Sequence, residues 1–298
     1  MNNHPFWTRP SPAIDPVGVV EGEGSSIDAP TVPAMAPVVP AISVCIAVRD
    51  RPELLVKSIR SALSGTFQNF EVVVVDDGSA TPVRGALVEA GLLADSRVRL
   101  MSQAPSGISA ARNVALRAAR GRIVTVLDSD DELTTDGLAR IDEFVGRTGA
   151  VWVYTDYEEL AGSIRRIIRL PEYPSPRRML WSVLVRPRLP FKHSGMSIDR
   201  ELLLKLGGYD ERMPIKVDVE LVLRALSRGV HLQRLSYPVV RFHRHDSNIS
   251  RRRLAGLVAW RKMIRKYRPS RVPGLAFGLV VVRAVSEIGK WLVTAAGR

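Results

Sequence analysis

Short apolar runs alternating with helical patterns constrain this chain more than any other feature. Residues 42–48 (ISVCIAV), 70–75 (FEVVVV) and 123–127 (IVTVL) are of strand length and rich in β-branched side chains, and 97–101 (RVRLM) adds a fourth run. Between them, 52–63, 83–90 and 109–119 repeat apolar residues at helical spacing, as with Leu55, Ile59 and Leu63. A strand that is apolar on nearly every residue has no polar face to offer water, so both faces must be covered. Strand–helix alternation of this kind predicts an α/β fold: a mostly parallel, Rossmann-like sheet with helices on both faces. A helix over 138–145 and a strand over 151–154 extend the pattern.

The flanks read differently. Residues 1–40 hold eight prolines and no sustained period, which predicts an extended or disordered leader. No uninterrupted apolar stretch near the start resembles a secretory signal. Periodicity weakens over 160–200, where five prolines fall among arginines. Helices are expected at 202–206, stopped by Gly207-Gly208, and at 217–226, with short strands at 231–235 and 239–242. In the tail, Leu254, Leu257, Val258, Ile264 and Tyr267 can share one helix face. Beyond Pro273, Arg283, Glu287, Lys290 and Thr294 form a narrow polar stripe on an otherwise apolar helix. That stripe suits first a helix packed on the domain and, as the sharper alternative, an interfacial helix on an anionic membrane. No uncharged run of 18 residues exists, so a spanning helix is not expected.

Charge sharpens the partners. Of a formal net +13, residues 241–271 contribute +10, with eleven Lys/Arg against Asp246. Such a patch suits phosphates or anionic lipid. A single cysteine, Cys45, excludes an intramolecular disulfide and any Cys-based zinc site, which points to a reducing compartment.

Acids stand at two strand ends: Asp76 and Asp77 after the second strand, and Asp128, Asp130 and Asp131 after the fourth. In open α/β sheets ligands bind at the carboxyl ends of strands. Single acids there are often turn formers or helix caps. Five converging carboxylates repel one another unless a cation or hydrogen-bond donors compensate. Nucleoside diphosphates supply both: base N–H and ribose hydroxyls are donors, and a hard divalent cation bridges carboxylate to phosphate oxygens. In an extended segment Asp128 and Asp130 share one side, with Ser129 opposite.

ISVCIAVRDRPE, FEVVVVDDGS, GISAARNVALRAARG and IVTVLDSDDEL, in this order, resemble the family 2 glycosyltransferases of the GT-A fold. GGYDERMPIKVDVELVLRALSRG and RHDSNIS resemble that family's acceptor-side segment and late histidine motif. The likeness runs from about Ile42 to Ser250 and implies a division into a leader (1–40), a glycosyltransferase domain (41–250) and a basic helical tail (251–298). Within the domain, 41–155 would bind nucleotide-sugar and 156–250 would face the acceptor. The resemblance implies an inverting transfer from a nucleotide-sugar donor, usually a UDP-sugar, to a hydroxyl, with Mg²⁺ or Mn²⁺. It implies that Asp77 contacts the base, Asp128 and Asp130 take ribose and metal, Asp131 is an alternative metal ligand, and Arg112 and Asn113 lie near the donor. Ala47 and Arg49 belong to the first-strand loop of the donor site. Asp218 falls at the general base, which must take the acceptor proton as the oxygen attacks; a first-turn helix acid is the other reading, and Glu220 is the second choice. His245 falls at the late histidine that reaches metal or diphosphate, with His243 competing.

Three departures matter. Ala47 and Asp50 replace a small polar or proline residue and an asparagine in the first-strand loop, and Val217 replaces the glutamate before the base. Arg165, Arg166, Arg169, Arg177 and Arg178 suit an anionic acceptor, such as a lipid-linked glycan or a cell-envelope polymer, or else a solvated surface. The expected location is cytoplasmic, at most peripheral on the inner face of the plasma membrane. A nucleotidyltransferase would need a Gly-rich loop that Arg49-Asp50-Arg51 lacks. The remaining alternative is a basic nucleic-acid- or membrane-binding protein on an inactive scaffold; nucleic acid is the weaker partner, since the strand-end acids would repel it.

Overall fold

The computed structural model describes residues 39–162, 164–185, 189–213, 215–243, 253–267 and 278. The expected leader, His245 with RHDSNIS, and the stripe from Arg283 to Thr294 lie outside the described residues.

Strands β1 (Ile42–Val48), β2 (Phe70–Asp77), β3 (Val98–Gln103) and β4 (Ile123–Val126) pair in parallel in the order β3-β2-β1-β4. Helices α1 (Pro52–Leu63), α2 (Arg84–Glu89) and α3 (Ile108–Ala118) connect them. Neighbouring residues of the first strands enter separate cores on the two faces. Val44 and Ile46 of β1, with Val72 and Val74 of β2, join Leu55 and Ile59 of α1. Cys45, Val73 and Val75 join Ala111 and Ala115 of α3. This two-sided burial is what the continuous apolar runs demanded.

Beyond β4 the sheet becomes mixed. After β5 (Glu132–Leu133) and α4 (Gly137–Thr148), β6 (Trp152–Ala161) runs parallel to β9 (Gln233–His243), while β8 (Ser197–Asp199) is antiparallel to both β4 and β6. The two short strands expected at 231–235 and 239–242 are one, because β9 passes through Pro238 at a register shift against β6. The weakly periodic stretch contains β7 (Ile164–Ile168), an exposed hairpin partner of β6, and α5 (Pro176–Val185). An edge strand whose side chains are nearly all exposed needs no apolar alternation, which is why β7 left little periodic signal.

Helices α5, α6 (Arg200–Lys205), α7 (Val217–Ser227) and α8 (Arg253–Tyr267) lie on the α3 side. In α8 the buried residues are Ala259, Trp260, Met263, Ile264 and Tyr267, whereas Val258 is 59% exposed. Ile264 and Tyr267 of the expected face are buried, but Val258 points to solvent while Trp260 and Met263 fill the core; the side chains of Leu254 and Leu257 lie outside the described residues.

Candidate functional site

At the carboxyl ends of β1 and β4 the chain opens into a cleft of about 880 Å³. Its walls include Ala47, Arg51, Arg112, Asp128, Ser129, Asp130, Lys192, His193, Lys216 and Asp218. Four distant stretches expected to share one site, around Ala47, Arg112, Asp128 and Asp218, thus meet in one cavity.

Each acid of the DSDD segment is treated differently. Arg112, projecting from α3, donates from Nη2 to Asp128 Oδ1 at 2.8 Å. Its guanidinium also stacks 5.5 Å from the Tyr209 ring. Burial alone would raise the Asp128 carboxyl, but the Arg112 charge, aided by His193, more than reverses this and holds it well below the usual carboxylate range. His193 donates to or accepts from Tyr209 through Nε2 at 3.0 Å, leaving Nδ1 buried 3.7 Å from Asp128 Oδ1. Asp130 receives Arg51 Nη1 at 2.6 Å. Asp131 turns inward: its Oδ1 accepts from the His243 amide at 3.2 Å, and its buried Oδ2 has no hydrogen-bond partner among the described residues. Burial, then the Asp128 and Asp130 charges, push Asp131 up to about 8.

Mg²⁺ or Mn²⁺ takes hard oxygen donors and needs only one or two carboxylates when phosphate oxygens complete its shell. Asp130 in the cleft and the buried Asp131 Oδ2 fit that donor chemistry. No three His, Cys, Asp or Glu side chains among the described residues are arranged to hold a metal ion unaided.

Other expected site residues are engaged elsewhere. Asp77 accepts from Gln103 Nε2 and the Ser106 amide at 2.8 Å and from the Gly107 amide at 2.9 Å. A buried carboxylate has to be satisfied, and here it ties the loop ahead of α3 rather than lining the cleft. Asn113 gives its amide to the Tyr209 loop, accepting from Tyr209 N at 2.8 Å and donating to Tyr209 O at 2.9 Å. Gly208 (φ +64°) makes room for this clasp, since a Cβ there would lie 2.4 Å from Asn113 Oδ1. Arg49 is exposed beside Asp50 and outside the cleft lining. Asp50, at φ +55°, accepts from Ala80 N at 2.7 Å and laces two loops together instead of charging the cleft. The His243 ring is 3.0 Å from Glu132 Oε1. Glu220, the second choice for the base, is buried in an ion-pair network away from the cleft.

Asp218 stands in the first turn of α7, whose N-cap, Lys216, holds φ +57°. A left-handed non-glycine residue costs about 1–3 kcal/mol and persists only where its surroundings enforce it. Both Lys216 and Asp218 line the cleft. Lys192 enters the same cavity with its Nζ 3.2 Å from the Phe242 ring centroid. Sequence patterning alone does not mark His193, Lys192 or Tyr209. They lie in or after the proline-broken stretch, and only the GGYDE motif pointed near Tyr209.

The profile described as Glycosyl transferase family 2 matches residues 43–207. The succinoglycan biosynthesis protein ExoO of Rhizobium meliloti (strain 1021) is 35% identical over 203 residues, covering 64% of this chain and 57% of that protein. Glycosyltransferase GlyG of Streptococcus pneumoniae serotype 4 (strain ATCC BAA-334 / TIGR4) is 32% identical over 126 residues, covering 41% of this chain and 42% of that protein. The chain thus spans about half the length of these relatives. Among solved structures, S. aureus TarS 1–349 in complex with UDP-GlcNAc superposes with a TM-score of 0.60 at 16% identity, covering 77% of this chain and 68% of that one, a likeness of fold.

Proposed function

Because the chain belongs to glycosyl transferase family 2, we propose that it transfers a sugar from a nucleotide-sugar, a UDP-sugar in the first instance, to a hydroxyl of a cell-envelope glycan, with inversion. The observation that carries the proposal is the convergence of Asp128, Asp130, Arg112 and Asp218 on one cleft at the strand ends. The similarity to a succinoglycan biosynthesis protein supports a polysaccharide acceptor, and the likeness to a UDP-GlcNAc-bound fold supports a UDP-sugar donor.

Asp128, kept ionised by Arg112, is the acceptor for ribose hydroxyls. Asp130 and Asp131 are the residues we assign to a Mg²⁺ or Mn²⁺ ion, which when bound offsets diphosphate charge as a Lewis acid. Arg51 and Arg112 already face the cleft as cations and can turn their remaining N–H donors to phosphate oxygens. Asp218 takes the proton of the attacking hydroxyl on the face opposite the leaving diphosphate. Its carboxylate also favours positive charge building at the anomeric carbon.

Asp218→Asn separates binding from chemistry. It should bind UDP like the wild type while turnover of nucleotide-sugar falls at least about 10²-fold, the lower range for loss of a general base. Retained turnover would remove Asp218 from the role.

A further inference from the structure

Helix α8 lies beyond residues 43–207, the stretch that the family profile matches, yet it touches the helix that carries Asp218. Glu220, two residues after Asp218, is 2% exposed. At 100° per residue, positions 218 and 220 point to nearly opposite sides of α7, so the same turn faces the cleft with one acid and the interior with the other. A carboxylate that deep requires charged or donor partners. Arg224 supplies one from within α7, at 2.8 Å. The others come from α8: Lys266 Nζ at 3.1 Å and the Tyr267 hydroxyl. The opposite end of α8 reaches the cavity itself. Gly256 lines the cleft with Lys216 and Asp218, and a Cβ at position 256 would lie 3.5 Å from Lys216 Cε.

We infer that α8 is a working part of the acceptor side of the active site. Tyr267 and Lys266 are positioning residues that act through Glu220 to fix the first turn of α7, and with it the aim of Asp218. Gly256, without a side chain, leaves the adjoining wall open for the acceptor. The inference rests on Asp218 as base, and its test keeps the two apart.

The experiment measures hydrolysis of UDP-, GDP- and dTDP-sugars by the full chain without acceptor, together with UDP affinity by titration calorimetry. Tyr267→Phe removes one hydroxyl and keeps the ring in the core. It should lower kcat about tenfold or more, as misplacement of a catalytic group does, with KM and UDP affinity within about twofold of wild type. Lys266→Met, at a half-exposed site, should do the same more mildly and serves if Tyr267→Phe does not fold. Lys262→Met, on the exposed face of α8, should match wild type. Unchanged kcat in folded Tyr267→Phe and in Lys266→Met would overturn the inference while leaving the proposed function standing. A rise in KM with kcat unchanged would also overturn it. No UDP binding and no turnover by the wild type would instead overturn the proposed function, and the inference with it.

Discussion

Arg112 and Asp128, sixteen residues apart on α3 and after β4, meet at 2.8 Å across the floor of the cleft. The pair explains how a carboxylate in a crowded acidic corner stays ionised: the guanidinium charge outweighs burial. Arg112→Met should leave Asp128 without that partner and weaken UDP binding about 10- to 100-fold, the range for loss of a charge-assisted contact. Titration calorimetry checks this. Wild-type affinity in the variant would show that the pair serves the fold alone.

Much of this corner was legible in the sequence, and the limits have physical causes. Strands β1 and β4 begin where their apolar runs begin, because burial on both faces leaves an unbroken run, and α1 matches its predicted span, because burial on one face leaves a helical period. The sequence puts Asp77 at a strand end but does not tell which way a terminal carboxylate turns. Here Gln103 and the amides of Ser106 and Gly107 claim it. In the tail, Val258 and Trp260 are both apolar and both compatible with an amphipathic helix. Packing against α7 decides that Trp260 goes inside. His193 sits in a loop without period, so the sequence carries no mark of the ring that stands beside Asp128.

Acid should loosen the α7–α8 contact. Burial raises the Glu220 carboxyl, but hydrogen bonds from Tyr267 and Arg224, the Arg224 charge and Lys266 more than reverse it, so its pKa is lowered from the ordinary glutamate value. A carboxylate with a depressed folded pKa adds stability that is present above the unfolded value and lost as pH falls through the folded one. Urea midpoints measured downward from pH 6 should therefore drop more steeply in wild type than in Glu220→Gln. Parallel profiles would contradict the assignment.

The basic tail should not be removable without structural cost. Trp260, Met263, Ile264 and Tyr267 belong to the core on the α3 side. Trp260→Ala should cost about 3–5 kcal/mol, the range for deleting a buried aromatic side chain. Ending the chain after Ser250 should lower the urea midpoint further still. An unshifted midpoint in either would mean that α8 is not docked in solution.

Cys45 provides a reporter of global unfolding. The thiol is buried in β1, and burial, with the Glu71 charge, pushes it up to about 12. Thiolate is the reactive form. Ellman's reagent at pH 8 should find almost no free thiol in the native chain and one per chain in urea, since the sequence holds one cysteine. Rapid native labelling would contradict the burial of β1.

The strand-end carboxylates around Asp128 and Asp130 are proposed to form a nucleoside-diphosphate site. Calorimetric titration of UDP into the full chain, with and without Mn²⁺, tests it most directly. Binding should be saturable, stronger with Mn²⁺, and weakened at least tenfold in Asp130→Ala, a loss of about 1.4 kcal/mol. Absence of binding by UDP, GDP and dTDP under both conditions would contradict it.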